Sequence, residues 1–213
     1  MPKAYEGTRV RTDFLVIGSG IAGLAFALKA AEHGRVTVIS KAAVEETNTR
    51  YAQGGIAAAV HSADSAEKHV QDTLRAGAGL CNEATVRMVV AEAPRAIRDL
   101  VEWGARFDRK PDGSYDLARE GGHSEHRVLH YRDSTGLEIQ EALTARARSH
   151  PNIRLMEHHF AIDLLTQHQL GREVRHTDTD IECYGAYALD LRTLVIRTIL
   201  SRVTLLATGG TGN

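Results

Sequence analysis

Asp13-Phe-Leu-Val-Ile-Gly-Ser-Gly-Ile-Ala-Gly23 decides the fold class of this chain. Its first five residues are a short apolar run ending in glycine, the pattern of a parallel strand covered on both faces. Gly18-Ser19-Gly20-Ile21-Ala22-Gly23 fits GxGxxG, and Ile21 to His33 is rich in helix formers. A strand entering the glycines and a helix leaving them is the context in which this spacing marks a dinucleotide site. Gly18 permits the tight turn, Gly20 lets a pyrophosphate reach the backbone, and Gly23 lets the helix pack on the strand. The helix terminus offers N–H groups and roughly half a positive charge to the phosphates. Gly34 is expected to cap the helix, and Val36-Thr-Val-Ile-Ser40 to form the second strand, closing a β-α-β unit over 13–41.

The second strand of such a unit usually ends in an acid that holds a ribose hydroxyl. Here it ends Ile39-Ser40-Lys41. Ser40 can hydrogen-bond a ribose and Lys41 can lie near an adenosine phosphate, yet both can equally be solvated residues at a strand end. The unit alone leaves NAD and FAD open.

Outward from this unit, the 213 residues suffice for a substantial core, and 43% hydrophobic with 25% charged residues is the composition of an ordinary globular domain. A net charge of −1 gives no reason to expect nucleic acid or anionic membrane as a partner. Cys81 and Cys183 form no CxxC pair, and no export signal is legible at the amino terminus, so a reduced cytoplasmic setting is expected. No apolar run approaches the ~18 residues that span a bilayer.

The region 65–150 reads as largely helical. Ser65 to Gly77 forms one helix, and Asn82 caps another whose stripe is Val86, Val89, Val90, Ala93, Ile97, Leu100 and Val101. Pro94 is expected to kink it or to start a second helix. Phe107 to Leu117, broken by Pro111-Asp112-Gly113, reads as a hairpin or excursion, and Asp133 or Ser134 caps a helix to about Ser149. The part 151–213 is β-rich, with strands at Ile153 to Met156, Phe160 to Leu165, Tyr184 to Leu189, Thr193 to Ile199 and Val203 to Leu206. The fold class is α/β: one Rossmann-like domain over 1–213 with a parallel central sheet and additional strands.

Thr47-Asn48-Thr49-Arg50-Tyr51-Ala52-Gln53-Gly54-Gly55 follows the second strand. It resembles the loop ending in Ala-Gln-Gly-Gly found here in flavoproteins of the succinate dehydrogenase, fumarate reductase and L-aspartate oxidase superfamily. The resemblance implies FAD, because in that superfamily the loop runs beside the flavin and its glycines leave room for the ring. Respiratory members bond FAD covalently through a histidine in a His-Thr-x-x-Ala-Gln-Gly-Gly arrangement. Asn48 stands in that place, and an amide cannot form the bond. Non-covalent FAD and the L-aspartate oxidase branch follow from the resemblance. Val203-Thr-Leu-Leu-Ala-Thr208-Gly209-Gly210-Thr-Gly-Asn213 matches a string at which two-segment FAD proteins return to the dinucleotide fold. It is not a P-loop, since no Gly-Lys-Ser/Thr follows.

Arg119-Glu-Gly-Gly-His-Ser124, with Arg127-Val-Leu-His130 and Asp133-Ser-Thr-Gly136, resembles the aspartate oxidase version of a substrate segment. The resemblance places Glu120 beside the substrate ammonium, where a carboxylate gives a charge-assisted partner and repels fumarate or succinate. His123 and Ser124 are candidates for the same cavity. A metal reading of His123, His126 and His130, with His158 and His159, lacks a Cys or carboxylate at ligand spacing.

The resemblance implies oxidation of L-aspartate to iminoaspartate, with dioxygen giving peroxide or fumarate as acceptor, and quinolinate synthase downstream in NAD biosynthesis. It also implies a chain that stops before the capping domain and its acid/base arginine, and that is inactive or weakly active alone. A soluble fumarate reductase or succinate-oxidising flavoprotein, and a non-catalytic dinucleotide-binding fragment, are the competing expectations.

Overall fold

The computed structural model describes residues 9–175 and 177–210. The end of the Ala-Thr-Gly-Gly-Thr-Gly-Asn string, 211–213, lies outside them. In chain order the elements are β1 (Arg9–Arg11), β2 (Phe14–Ile17), α1 (Ile21–Ala30), β3 (Val36–Ile39), α2 (Asn48–Tyr51), β4 (Ile56–Ala57), α3 (Ala66–Ala76), α4 (Glu83–Glu102), β5 (Leu117–Ala118), β6 (Val128–Leu129), α5 (Thr135–Ser149), β7 (Ile153–Met156), β8 (His159–Thr166), β9 (Cys183–Asp190), β10 (Val195–Leu200) and β11 (Val203–Leu206). They divide into two compact units, one of 1–48 with 143–213 and the other of 49–142.

In the first unit a four-stranded sheet runs β11-β2-β3-β7, every neighbouring pair parallel. Alternation along β2 explains its unbroken apolar run. Leu15 and Ile17 join Ile39, Met156, Ala186, Ala188 and Ile199 on one face, while Val16 joins Ala27, Ala30, Ala31, Val36 and Val38 beneath α1. Both faces are covered, so no position of β2 is left for a charge. At about 1.5–3 kcal/mol for each large apolar side chain, this two-sided burial holds the β-α-β unit together. The second sheet, β1-β10-β9-β8, is antiparallel except where β1 pairs parallel with β10. The five strands expected after Pro151 are all present, and β1 is an addition. Its three residues are half-polar, Arg-Val-Arg, too short for a period to show.

Gly34 does not cap α1. The helix ends at Ala30 with Ala31 as its cap, and Gly34 is small for a different reason. A Cβ there would stand 2.9 Å from the Asp13 carboxylate, which accepts the Arg35 N–H at 2.9 Å.

In the second unit the helical expectation for 65–150 needs correction, because β5 and β6, which join β4 in a three-stranded sheet of order β4-β6-β5, interrupt it. Its strands are two residues long, below the length at which alternation is legible. The Asn82 cap is as expected, its side chain accepting the Thr85 N–H, whereas Ser65, expected as the first residue of its helix, caps α3 by accepting the Lys68 N–H. Pro94 neither starts a new helix nor divides α4, which is continuous from Glu83 to Glu102. Val90, Ile97 and Leu100 are buried along it, whereas Val89 is exposed. Ser134, rather than Asp133, opens α5, its carbonyl accepting the Glu138 N–H. The expected hairpin is seen at an Arg109–Tyr115 bridge around Asp112 and Gly113. No helix of the described residues is long and apolar enough to cross a membrane.

Candidate functional site

Gly18 carries a φ of +114°, and a Cβ on it would collide with the Ala207 carbonyl at the end of β11. A Cβ on Gly23 would collide with the Gly18 carbonyl, so the helix packs onto the turn only because that position is bare. Gly20 caps α1 in extended geometry with no side-chain cap, and no acidic residue stands in the first turn. Nothing on the helix end itself repels a phosphate, and its first-turn N–H groups are left without a side-chain cap. These residues fit a dinucleotide pyrophosphate.

Around this turn the first unit is braced by polar contacts. Ser19 is buried and its hydroxyl donates to the Val44 carbonyl at 2.9 Å. The Val44 N–H donates to Glu157 Oε1 at 2.9 Å, and Arg148 pairs with both Glu45 and Glu157. The segment after β3 is thereby tied to the glycine turn. Ser40 is also buried, and its hydroxyl proton is committed to the Ala42 carbonyl at 2.8 Å, leaving lone pairs rather than a donor. Lys41 beside it is exposed. Asn48 lies near the returning chain: its Nδ2 is 4.0 Å from where a Gly209 Cβ would stand. Thus Gly18 and Gly23, the Thr208-Gly209 backbone and Asn48 belong to one unit, while Ser40 faces its own turn.

In the second unit Thr49, Arg50 and Tyr51 lie on the short helix α2, where sequence reading expected only loop. Ala52, Gln53 and Gly54 are exposed. The two glycines differ. Gly55 is bare because β6 passes against it, where a Cβ would collide with the Leu129 carbonyl, whereas Gly54 has open space around it.

Glu120, His123 and Ser124 ride on the loop 119–127, which joins β5 to β6. Glu120 is exposed, and its carbonyl accepts the His123 N–H at 3.2 Å across a turn in which Gly122 has φ +86°. Ser124 donates through both its N–H and its hydroxyl to Asp72 Oδ2, each at 2.7 Å. Arg127 is 0% exposed; it gives a two-pronged contact to Asp64 at 2.8 and 2.9 Å and a third bond to Asp72 at 2.6 Å. Burial raises the pKa of both carboxylates, but hydrogen bonds from Ser124 and Arg127 at Asp72, and from Arg127 and Ser65 at Asp64, leave both below the ordinary range. His69 is lowered by burial, then by Arg127 and His123. Its ring meets His123 edge to face at 6.1 Å, and neither Nδ1 has a hydrogen-bond partner among the described residues. His126 and His130 point elsewhere, to the Leu117 carbonyl and to Asp108.

Sequence reading missed Asp64, His69 and Asp72. Arg127 stood in a quoted motif, but nothing local marks it as wholly buried; its partners lie 55 and 63 residues away.

The turn, the uncapped helix and the parallel sheet define a dinucleotide-binding protein, and comparison with known proteins names the dinucleotide. Residues 13–213 match the FAD binding domain family, and the chain belongs to it. FAD, left open against NAD by the β-α-β unit, is its cofactor. The chain is 50% identical over 208 residues to L-aspartate oxidase 2-a, chloroplastic, of Nicotiana tabacum, covering 98% of this chain and 31% of that protein. It is 44% identical to L-aspartate oxidase of Vibrio cholerae, covering 93% and 37%. Among solved structures it resembles E. coli quinol fumarate reductase with a TM-score of 0.86 at 29% identity, covering 96% of this chain and 34% of that one. The chain therefore spans about a third of the length of these relatives.

Proposed function

We propose that this chain carries the FAD-binding part, and one substrate contact, of an L-aspartate oxidase. The observation that carries the reading is Glu120, an exposed carboxylate at the turn of a loop whose next residues are tethered. It stands in Arg119-Glu-Gly-Gly-His-Ser124, which resembles the substrate segment of that branch, and the relatives at 44–50% identity bear that name.

The residues assigned to FAD are Gly18 to Gly23, Ser40 and Lys41, Asn48 to Gly55, and Thr208 to Gly210. Both compact units are read as one domain, since the family match runs through both. Asn48 makes the attachment non-covalent. When bound, FAD supplies a two-electron acceptor for the hydride equivalent leaving the α-carbon of L-aspartate. The protein's part is to hold that carbon in place and pair its charges. Glu120 accepts hydrogen bonds from the ammonium; His123 and Ser124 border the same cavity. The product is iminoaspartate, with dioxygen or fumarate as final acceptor, and a quinolinate-forming enzyme consumes it. Cytoplasm is the compartment in this reading, although the tobacco relative's name places it in the chloroplast.

Quinol fumarate reductase likeness favours one alternative, oxidation or formation of a plain dicarboxylate. In a full-length, FAD-loaded protein containing this segment, anaerobic bleaching by L-aspartate, and not by succinate, is the expected result. Bleaching by succinate alone would overturn the assignment. Flavin released by denaturation tests the non-covalent attachment.

A further inference from the structure

One face of α3 grips the loop 119–127 at successive points. His69 and Asp72 are three residues apart, hence neighbours on one helix face. His69 meets the His123 ring and Asp72 takes both hydrogen bonds of Ser124. Asp64, just before the Ser65 cap, joins Asp72 in holding Arg127 at the far end of the loop. Lys68 on the same helix pairs with Glu125 at 2.6 Å.

We propose that Asp72 is a positioning residue for substrate recognition: through Ser124 it fixes the turn on which Glu120 stands. The inference rests on the assignment of Glu120 to the substrate ammonium. Its geometric core is a single oxygen. Asp72 Oδ2 accepts from the Ser124 N–H, the Ser124 hydroxyl and Arg127 Nη1 at 2.7, 2.7 and 2.6 Å. The Glu120 carbonyl is bonded to the His123 N–H, one residue before that anchor. Gly121 and Gly122 between them are exposed and restrain nothing by side-chain packing. On its amino-terminal side Glu120 follows β5 by two residues; on its carboxyl-terminal side restraint enters through His123 and Ser124, and α3 supplies it. Asp72 is 4% exposed and lies away from solvent, so it orients the loop and makes no contact with substrate.

Asp72→Ala leaves Arg127 short of a partner and risks misfolding, so Asp72→Asn is the working variant. It keeps an acceptor oxygen and loses the charge. In the full-length, FAD-loaded protein containing this segment, the L-aspartate concentration for half-maximal flavin reduction should rise roughly tenfold, with the limiting rate and FAD affinity within about twofold. In a Glu120→Gln background the same change should add almost nothing, because the two act through one contact. Amide exchange of 120–124 should quicken about tenfold while β2 and β3 keep their protection. Full additivity with Glu120→Gln, or unchanged loop exchange, would overturn the proposal. If the parent protein is not reduced by L-aspartate, the functional reading falls instead, and the exchange rates still decide whether Asp72 holds the turn.

Discussion

The Gly136 N–H donates to the Ala52 carbonyl at 3.0 Å, joining the first turn of α5 to the Ala-Gln-Gly-Gly loop. The approach is so close that a Cβ on Gly136 would collide with the Thr49 carbonyl and stand 2.6 Å from that of Ala52. Gly136 is therefore a spacing residue for the loop assigned to the flavin. Gly136→Ala should cost about 1–3 kcal/mol by overpacking. Urea unfolding measures that cost, and flavin fluorescence titration should show weaker FAD binding. A stable variant with undiminished FAD affinity would contradict this role.

Gly23 and Gly54 separate packing from ligand approach. Gly23→Val drives a side chain into the Gly18 carbonyl and should abolish flavin retention together with stability. Gly54 has nothing within 4 Å, so Gly54→Val should change stability by no more than about 0.5 kcal/mol. Loss of FAD affinity in that otherwise intact variant is the expected outcome, read by flavin content after purification. Full retention would mean that Gly54 does not face the ring.

Arg127→Met strips the counter-charge from two buried carboxylates and should cost on the order of 3 kcal/mol. The pH dependence has a definite sign. In the parent protein Asp64 and Asp72 titrate below their ordinary 3.8, so their stabilisation is present above that pH and fades as pH falls below it. Without Arg127 its hydrogen bonds and charge no longer oppose burial, so both groups move upward from their positions in the parent and loss begins at higher pH. Unfolding midpoints between about pH 3 and pH 7 should show the variant's acid limb displaced upward.

His69 acts in the neighbouring range. Its folded-state pKa lies below the ordinary 6.5, because burial and Arg127 disfavour the charged ring. Between the two values the unfolded chain binds a proton that the folded one does not, so stability declines as pH falls through 6.5 toward the lowered value. His69→Gln should flatten that decline. Equal slopes for parent and variant across it would exclude His69 as the source.

The β-α-β unit was legible because its determinants are local. β2 alternates toward two covered faces, which forces a continuous apolar run, and Gly18 and Gly23 are bare because backbones meet there. The later strands were legible for the same reason, being long enough for a pattern. The strands β4, β5 and β6 were not, since two residues carry no period, and Gly34 looked like a cap because a residue packed against Asp13 and a helix stop have the same sequence signature.

By itself the sequence determined the dinucleotide turn, a contiguous string whose chemistry is written in neighbouring residues, while the Ala-Gln-Gly-Gly loop and Glu120 were read from their resemblance to a family. Tertiary structure alone decided what holds them. Asp72 meets Ser124 across 52 positions and Glu157 meets Val44 across 113. An isolated Asp or Glu in a polar stretch looks like any solvated acid. Only folding, which removes water from around it and brings the donor to it, makes it an anchor.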